Sequence, residues 1–284
     1  MQVQRPLFLG IIRSEGIYIL MNATHQKLKL HNGIEIPLYG LDTIGFKENE
    51  LKSLIKEAID NGIVHIETAA EYNTETAIGE AIAASGIARK DLFLTDEIKG
   101  INNTDATVRS ASASLRRLGV DYVDLLLLAW NGGKDESDPA NRRIYKAWKG
   151  LEALYKSGAA HAIGIVDFYP WQVEYLLNDV EIAPMVCYAG LFPGHPDLEK
   201  LVTYSEHNIL TMAYLPKDID KVLASKELNI LAEKHDCSPR DIVLQYLKQK
   251  KCVVTLRRPA LPKEGIKLTE EEMIFLDVMK DYTA

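Results

Sequence analysis

Eight apolar runs of strand length, separated by amphipathic stretches of helix length, constrain the fold of this chain more than any other feature. The strand-like runs fall near residues 38–43, 63–67, 92–97, 122–129, 160–166, 185–188, 209–214 and 252–256. Helix-like segments lie between them, near 48–61, 75–84, 104–118, 140–157, 170–177, 197–207 and 221–248, the last with a break at 236–238. Strand–helix alternation on this scale predicts βαβ units and a parallel sheet, and eight repeats predict a (β/α)8 TIM barrel with its chemistry at the carboxyl ends of the strands. Ahead of the first run, LKLHNGIEI sets Asn32-Gly33 between two alternating segments, a hairpin signature. Ser238-Pro239 and Thr269, the latter followed by three glutamates, mark two helix starts.

The bulk properties exclude several classes of function. A chain of 284 residues with 47% apolar and 26% charged residues suits a globular protein with a sizeable core. A net charge of −7 argues against nucleic acid or an anionic membrane as partner. No apolar run approaches a membrane span. The cysteines Cys187, Cys237 and Cys252 are odd in number and scattered, as expected of reduced thiols in a cytoplasmic protein. Residues 1–24 read as an N-terminal extension of uncertain status; their apolar run is interrupted by Arg13, Ser14 and Glu15, unlike a signal peptide. Residues 25–284 read as one barrel domain, monomeric or homodimeric.

Motifs at the strand ends are more specific. VHIETAAEY (64–72), LFLTDEI (92–98) and DLLLLAW (124–130) follow one another at strand spacing. Further landmarks are HNGIEIPLYGLDT (31–43), AWKGLEALYKSGAAHAIGIVDF (147–168), AYLP (213–216) and SPRDIVLQYLKQKKCVVTL (238–256). In order and spacing these resemble the motifs of the aldo-keto reductase family over about residues 25–258. The resemblance implies an aldo-keto-reductase-type barrel whose hairpin closes the bottom, with NADP(H) as cofactor and a carbonyl compound as substrate. It also implies a catalytic tetrad of Asp, Tyr, Lys and His. The matching positions here are Glu67, Tyr72, Glu97 and Ala129, so only the tyrosine is retained.

That departure has a chemical consequence. In the family the tyrosine donates a proton to the carbonyl, and the lysine beside it lowers its pKa. Two unit charges ~4 Å apart at an effective dielectric of ~20 interact by about 4 kcal/mol, roughly 3 pKa units. An ionised Glu97 would therefore push Tyr72 up rather than down, making proton donation slow. Lys99 shares a strand face with Glu97 but stands about 6–7 Å further out. The implied cofactor contacts are altered too: the Ser-Asn pair corresponds to Val166 and Asp167, the Asn-Gln pair to Cys187 and Tyr188, and the phosphate-binding lysine to Leu256, with Arg257 and Arg258 alongside. Tyr214 matches the tyrosine that stacks on the nicotinamide. The expectation is a homologue without ordinary NADPH-dependent carbonyl reductase activity, a pseudoenzyme or a barrel that binds a small-molecule ligand or partner. The alternative is an NADP(H)-dependent oxidoreductase with atypical residues.

Acidity is what the site gains. Asp42, Glu67, Glu97 and Asp167 all fall at strand ends, and Glu67 is expected to oppose Glu97. Apposed carboxylates share a proton, bind a cation such as Mg²⁺ or Ca²⁺, or swing apart into solvent. Acid/base chemistry, a cation site and a pocket without function all remain open. His65 and His161 read as core histidines, His195 has no assigned role, and Trp130 is expected to line the pocket. After the eighth strand, RRPALPKEGIK runs directly into LTEEEM, so the eighth barrel helix is expected to be reduced or missing. Its absence would leave an apolar seam, to be covered by residues 6–20 or paired in a homodimer.

Overall fold

In a computed structural model of the chain, residues 26–100, 103–130, 141, 144–280 and 282 are described. The N-terminal extension and the proposed arm at 6–20 lie outside them. Strands β1 (Lys27–Lys29) and β2 (Glu35–Pro37) form the antiparallel hairpin, with Leu28 opposite Ile36. Gly33 takes φ 92° at the turn, a conformation a β-carbon would strain. Asn32 accepts from Ile34 N at 3.1 Å and donates to His161 O at 3.0 Å, which ties the hairpin to the barrel.

The barrel consists of β3 (Tyr39–Asp42), β4 (His65–Ala69), β5 (Phe93–Lys99), β6 (Leu125–Ala129), β7 (Ile163–Val166), β8 (Val186–Gly190), β9 (Leu210–Tyr214) and β10 (Val253–Leu256). All neighbours are parallel and β10 closes against β3. Each expected strand is found, with ends shifted by up to three residues. Both faces of such strands are buried, one by the barrel interior and one by helices, so their sequences are continuously apolar. Leu125, Leu126, Leu127 and Leu128 show this, all at most 2% exposed.

The outer helices are α1 (Glu48–Asp60), α2 (Glu75–Ser85), α3 (Thr104–Leu118), α4 (Ile144–Ser157), α5 (Pro170–Leu177), α6 (Leu198–Glu206), α7 (Ile219–Leu223), α8 (Lys226–Lys234), α9 (Pro239–Gln249) and α10 (Glu270–Val278). They bury apolar residues at helical spacing, as with Leu51, Ile55 and Ala58 of α1. Asn103 caps α3 by accepting from Ala106 N at 2.9 Å, and Ser238 caps α9 ahead of a proline at N1. The expected break within 221–248 becomes two interruptions, giving α7, α8 and α9. His65 is a core histidine, bonded through Nε2 to Thr95 Oγ1 at 2.9 Å. His161 is not: it is 39% exposed and stacks on Tyr122. It stands at residue 161, ahead of β7, where the chain has not yet entered the barrel wall.

No helix forms between β10 and α10, in agreement with the missing eighth helix. Helix α10 instead packs outside α8 and α9: Glu272 meets Lys234 and His235, and Tyr246 donates to Asp277 at 2.5 Å. The seam, however, is not left bare. Residues 257–263 cross it, held by Asn61 on Pro259 O, Arg240 on Ala260 O and Asp241 on Lys263 N. Pro259 is buried and Leu261 packs against the core. The expected seam is thus covered in part by an extended segment with two prolines, which lies over the strands where a helix would have.

Helices α2 and α3 approach closely at Gly79, where an added β-carbon would stand 2.3 Å from Leu118 O. Gly79→Ala is expected to lower stability by about 1–3 kcal/mol, through displaced backbone rather than lost helix propensity. Urea unfolding of the variant checks this, and a change below about 0.5 kcal/mol would show that the helices separate freely.

Candidate functional site

Strand alternation brings the acidic positions together at the carboxyl end of the barrel. Asp42 and Glu67 are register partners on β3 and β4, whereas Glu97 stands opposite Ala69, two residues further out. Glu67 is fully buried, Asp42 is 3% exposed and Glu97 is half-buried. The carboxyl pair is thus Asp42 with Glu67, and not Glu67 with Glu97 as expected. The reason is stagger between strands, which residue spacing within one strand does not reveal. Burial raises the pKa of Glu67 well above that of an ordinary carboxyl, and the charge of Asp42 adds to it. The two carboxyls are hydrogen-bonded to each other and titrate as a pair, and Glu67 Oε2 is buried without a hydrogen-bond donor.

Tyr72 is placed by the 3-10 turn Ala70–Tyr72 directly after β4, its hydroxyl 3.5 Å from Glu67 Oε1. Burial raises its phenol pKa strongly, and the charges of Glu67, Asp42 and Glu97 raise it further. The carboxyl of Glu97 is pushed up to about 7 by burial, then by Asp167, Glu71 and Asp42. Lys99 does not substitute for the family's lysine: its ammonium pairs with Glu71 at 3.1 Å on the exposed rim. The charge that Tyr72 feels is therefore negative. Ala129 ends β6 half-buried and carries no polar group that would orient a carbonyl. Trp130 packs against Gly100, where a β-carbon would meet its ring at 2.5 Å, and donates to Asn141 at 3.3 Å.

The other wall is built by β7 to β10. Asp167 takes φ 52° and accepts from Tyr214 Oη at 2.6 Å and from Gly190 N at 3.3 Å. Tyr188 is buried, meets Thr255 Oγ1 at 2.8 Å, and lies edge-on to Tyr214 with ring centroids 5.1 Å apart. Thr255 escaped the sequence reading, although alternation within VVTL puts it on the inward face. Cys187 is fully buried and burial pushes its thiol up to about 12, so it is no nucleophile. Val166 is half-buried and Leu256 is buried. Arg257 donates to Ile44 O at 3.1 Å and its charge draws Asp42 down, while Arg258 is exposed. Among the described residues no group of three or more His, Cys, Asp or Glu is arranged to hold a metal ion, and no helix is long and apolar enough to cross a membrane.

Comparison with known proteins agrees with this architecture. The sequence pattern of the Aldo/keto reductase family matches residues 38–218. The chain is 35% identical over 221 residues to the glyoxal reductase of Bacillus subtilis (strain 168), covering 77% of each protein. It is 28% identical over 276 residues to a 9,11-endoperoxide prostaglandin H2 reductase of Trypanosoma cruzi (strain CL Brener), covering 92% of this chain and 94% of that one. Among solved structures, an aldo-keto reductase enzyme from a Medee basin deep-sea metagenome library superposes with a TM-score of 0.82 at 27% identity, covering 90% of this chain and 95% of that one. The aldo/keto reductase of Brucella melitensis superposes at 0.80 and 26% identity, covering 89% and 98%. With its barrel topology, terminal hairpin and strand-end motifs, this chain belongs to the aldo/keto reductase family.

Proposed function

We propose that this chain is an aldo/keto reductase barrel that has lost ordinary NADPH-dependent carbonyl reduction and retains its mouth as a small-molecule binding site. The observation that carries this reading is the environment of Tyr72. A phenol donates its proton efficiently when a neighbouring cation stabilises the phenolate. Here Glu67, Asp42 and Glu97 surround it and oppose the phenolate. Proton transfer of this kind contributes ~10²–10⁴-fold to catalysis, and that factor is forfeited.

The residues present also fit NADP(H) poorly. A nicotinamide carboxamide needs both donors and acceptors. At the corresponding positions Asp167 is engaged by Tyr214 and Gly190, Tyr188 is engaged by Thr255, and Cys187 is an inert buried thiol. Leu256 is apolar where a phosphate would need a cation, and the Arg257 guanidinium is directed to Ile44 O.

Titrating NADPH while following tryptophan fluorescence tests the reading. Absence of saturable quenching at micromolar NADPH, with no turnover of glyoxal or standard aldehydes above background, is expected. Micromolar binding together with turnover would overturn it in favour of an NADP(H)-dependent oxidoreductase with atypical residues. That second reading is favoured by the retained Tyr72 and Tyr214 and by the reductase relatives. A third reading, acid/base chemistry by the shared proton of Asp42 and Glu67, draws support from the raised pKa values of that pair.

A further inference from the structure

Behind the mouth, on the outer face of the same two strands, lies a second polar cluster that the family motifs do not explain. Because side chains alternate along a strand, Thr68 and Asp96 point away from the barrel interior where their neighbours Glu67 and Glu97 point into it. Thr68 and Asp96 are register partners on β4 and β5, and both are fully buried. At the start of α2, Glu75 is 1% exposed and Thr74 7% exposed, and the charge of Glu75 acts on Asp96. From α3, Arg117 Nε pairs with Glu75 Oε2, and Arg117 Nη2 donates to Ser114 Oγ at 3.0 Å.

Both carboxylate oxygens of Asp96, Oε1 of Glu75 and the hydroxyls of Thr68 and Thr74 are buried there without a well-formed hydrogen bond. Burial raises the pKa of Asp96 well above that of an ordinary carboxyl and the charge of Glu75 adds to it, while a hydrogen bond from Ser114 and the charge of Arg117 pull the other way. Polar atoms buried without a partner are costly, at about 1–3 kcal/mol each. Glu75 acts on Asp96 through its charge, whereas Asp42 and Glu67 act on each other through a hydrogen bond as well. Buried oxygen atoms left without hydrogen-bond donors are the kind of ligand that a hard cation takes.

We infer that Asp96, Glu75 and Thr68, with Thr74 at the edge, form a binding site for one monovalent metal cation, Na⁺ or K⁺. The donor set is oxygen only, which selects hard ions over zinc or copper. With Arg117 paired to Glu75, an ionised Asp96 would leave one net negative charge, which a single bound positive charge would balance and so hold ionised. A divalent ion would require a further carboxylate. The position gives the site a role: the ion joins β4 and β5 to the first turn of α2, three residues beyond Tyr72. It would hold the segment that carries Tyr72 against the strand that carries Glu97.

Thermal unfolding of the full chain in chloride salts at equal ionic strength tests this. Na⁺ or K⁺ is expected to raise the melting temperature by about 3–5 °C over tetramethylammonium, saturably. Asp96→Asn and Thr68→Val should each lose that difference while still folding, and a crystal grown with Tl⁺ should show an anomalous peak between Asp96 and Thr68. Thr68→Val is near-isosteric, so it reads the site even if the asparagine variant fails to fold. Melting indifferent to the cation, with Asp96→Asn as stable as the parent and no anomalous peak, would overturn the inference and leave a protonated Asp96. Equal cation response in the parent and Thr68→Val would overturn it as well.

Discussion

Glu97→Lys is expected to lower the pKa of the Tyr72 phenol by about 2–4 units. A unit charge ~6 Å away at an effective dielectric of ~20 is worth about 3 kcal/mol, or ~2 pH units, and the substitution both removes a repulsion and adds an attraction. Burial is the largest cause of the raised pKa and Glu67 the next, so the phenol should descend without reaching neutrality. Ultraviolet difference titration against Tyr72→Phe isolates the transition from the other tyrosines. A shift below about one unit would show that Glu97 is not coupled to Tyr72 and that burial, Glu67 and Asp42 set the phenol. The substitution restores one member of the tetrad, but Ala129 and the altered cofactor wall stay as they are. Proton donation and cofactor binding can thereby be separated in the same variant.

The second large effect concerns stability. Glu97 is raised from 4.5 to about 7 in the folded chain. A carboxyl whose folded pKa lies above its unfolded value favours folding while protonated, and the folded state binds more protons than the unfolded one between those values. Its contribution is present in full below about pH 4.5 and is lost as pH rises through about 7. A shift of this size corresponds to about 2–3 kcal/mol. Glutamine has no charge to bury. Glu97→Gln is thus expected to match the parent near pH 4.5 and to exceed it by about 2–3 kcal/mol near pH 8, measured by urea unfolding at both values. Equal stability at both would mean that the ionised Glu97 is compensated at the mouth, by solvent or by a bound cation.

Helix α10 shows how a shortened barrel is completed. With no eighth helix, the chain would expose the outer faces of β10 and β3, yet Tyr39 and Leu41 of β3 are at most 4% exposed. The crossing segment at 257–263 supplies apolar cover from Pro259 and Leu261, and its backbone is satisfied by Asn61, Arg240 and Asp241. Such a segment has no periodicity. Its covering role depends on partners that lie far away in the chain.

The barrel is written in the local pattern of the chain. Strands such as 125–129 are apolar throughout because both faces are buried, and helices such as α1 and α3 carry their apolar residues at helical spacing, so local periodicity reports the tertiary layer each will occupy. The hairpin was legible from Asn32-Gly33. Only the tertiary structure decided which acids meet. Glu67 pairs with Asp42 rather than Glu97 because the strands are staggered, and stagger is fixed by packing between strands distant in sequence. The engagement of Asp167 by Tyr214, across 47 residues, and of Tyr188 by Thr255, across 67, was invisible for the same reason. So was the cluster at Asp96, Glu75 and Thr68: one-dimensional alternation tells which face a residue takes, but the helix that closes over that face, and the charge it brings, are settled by the fold.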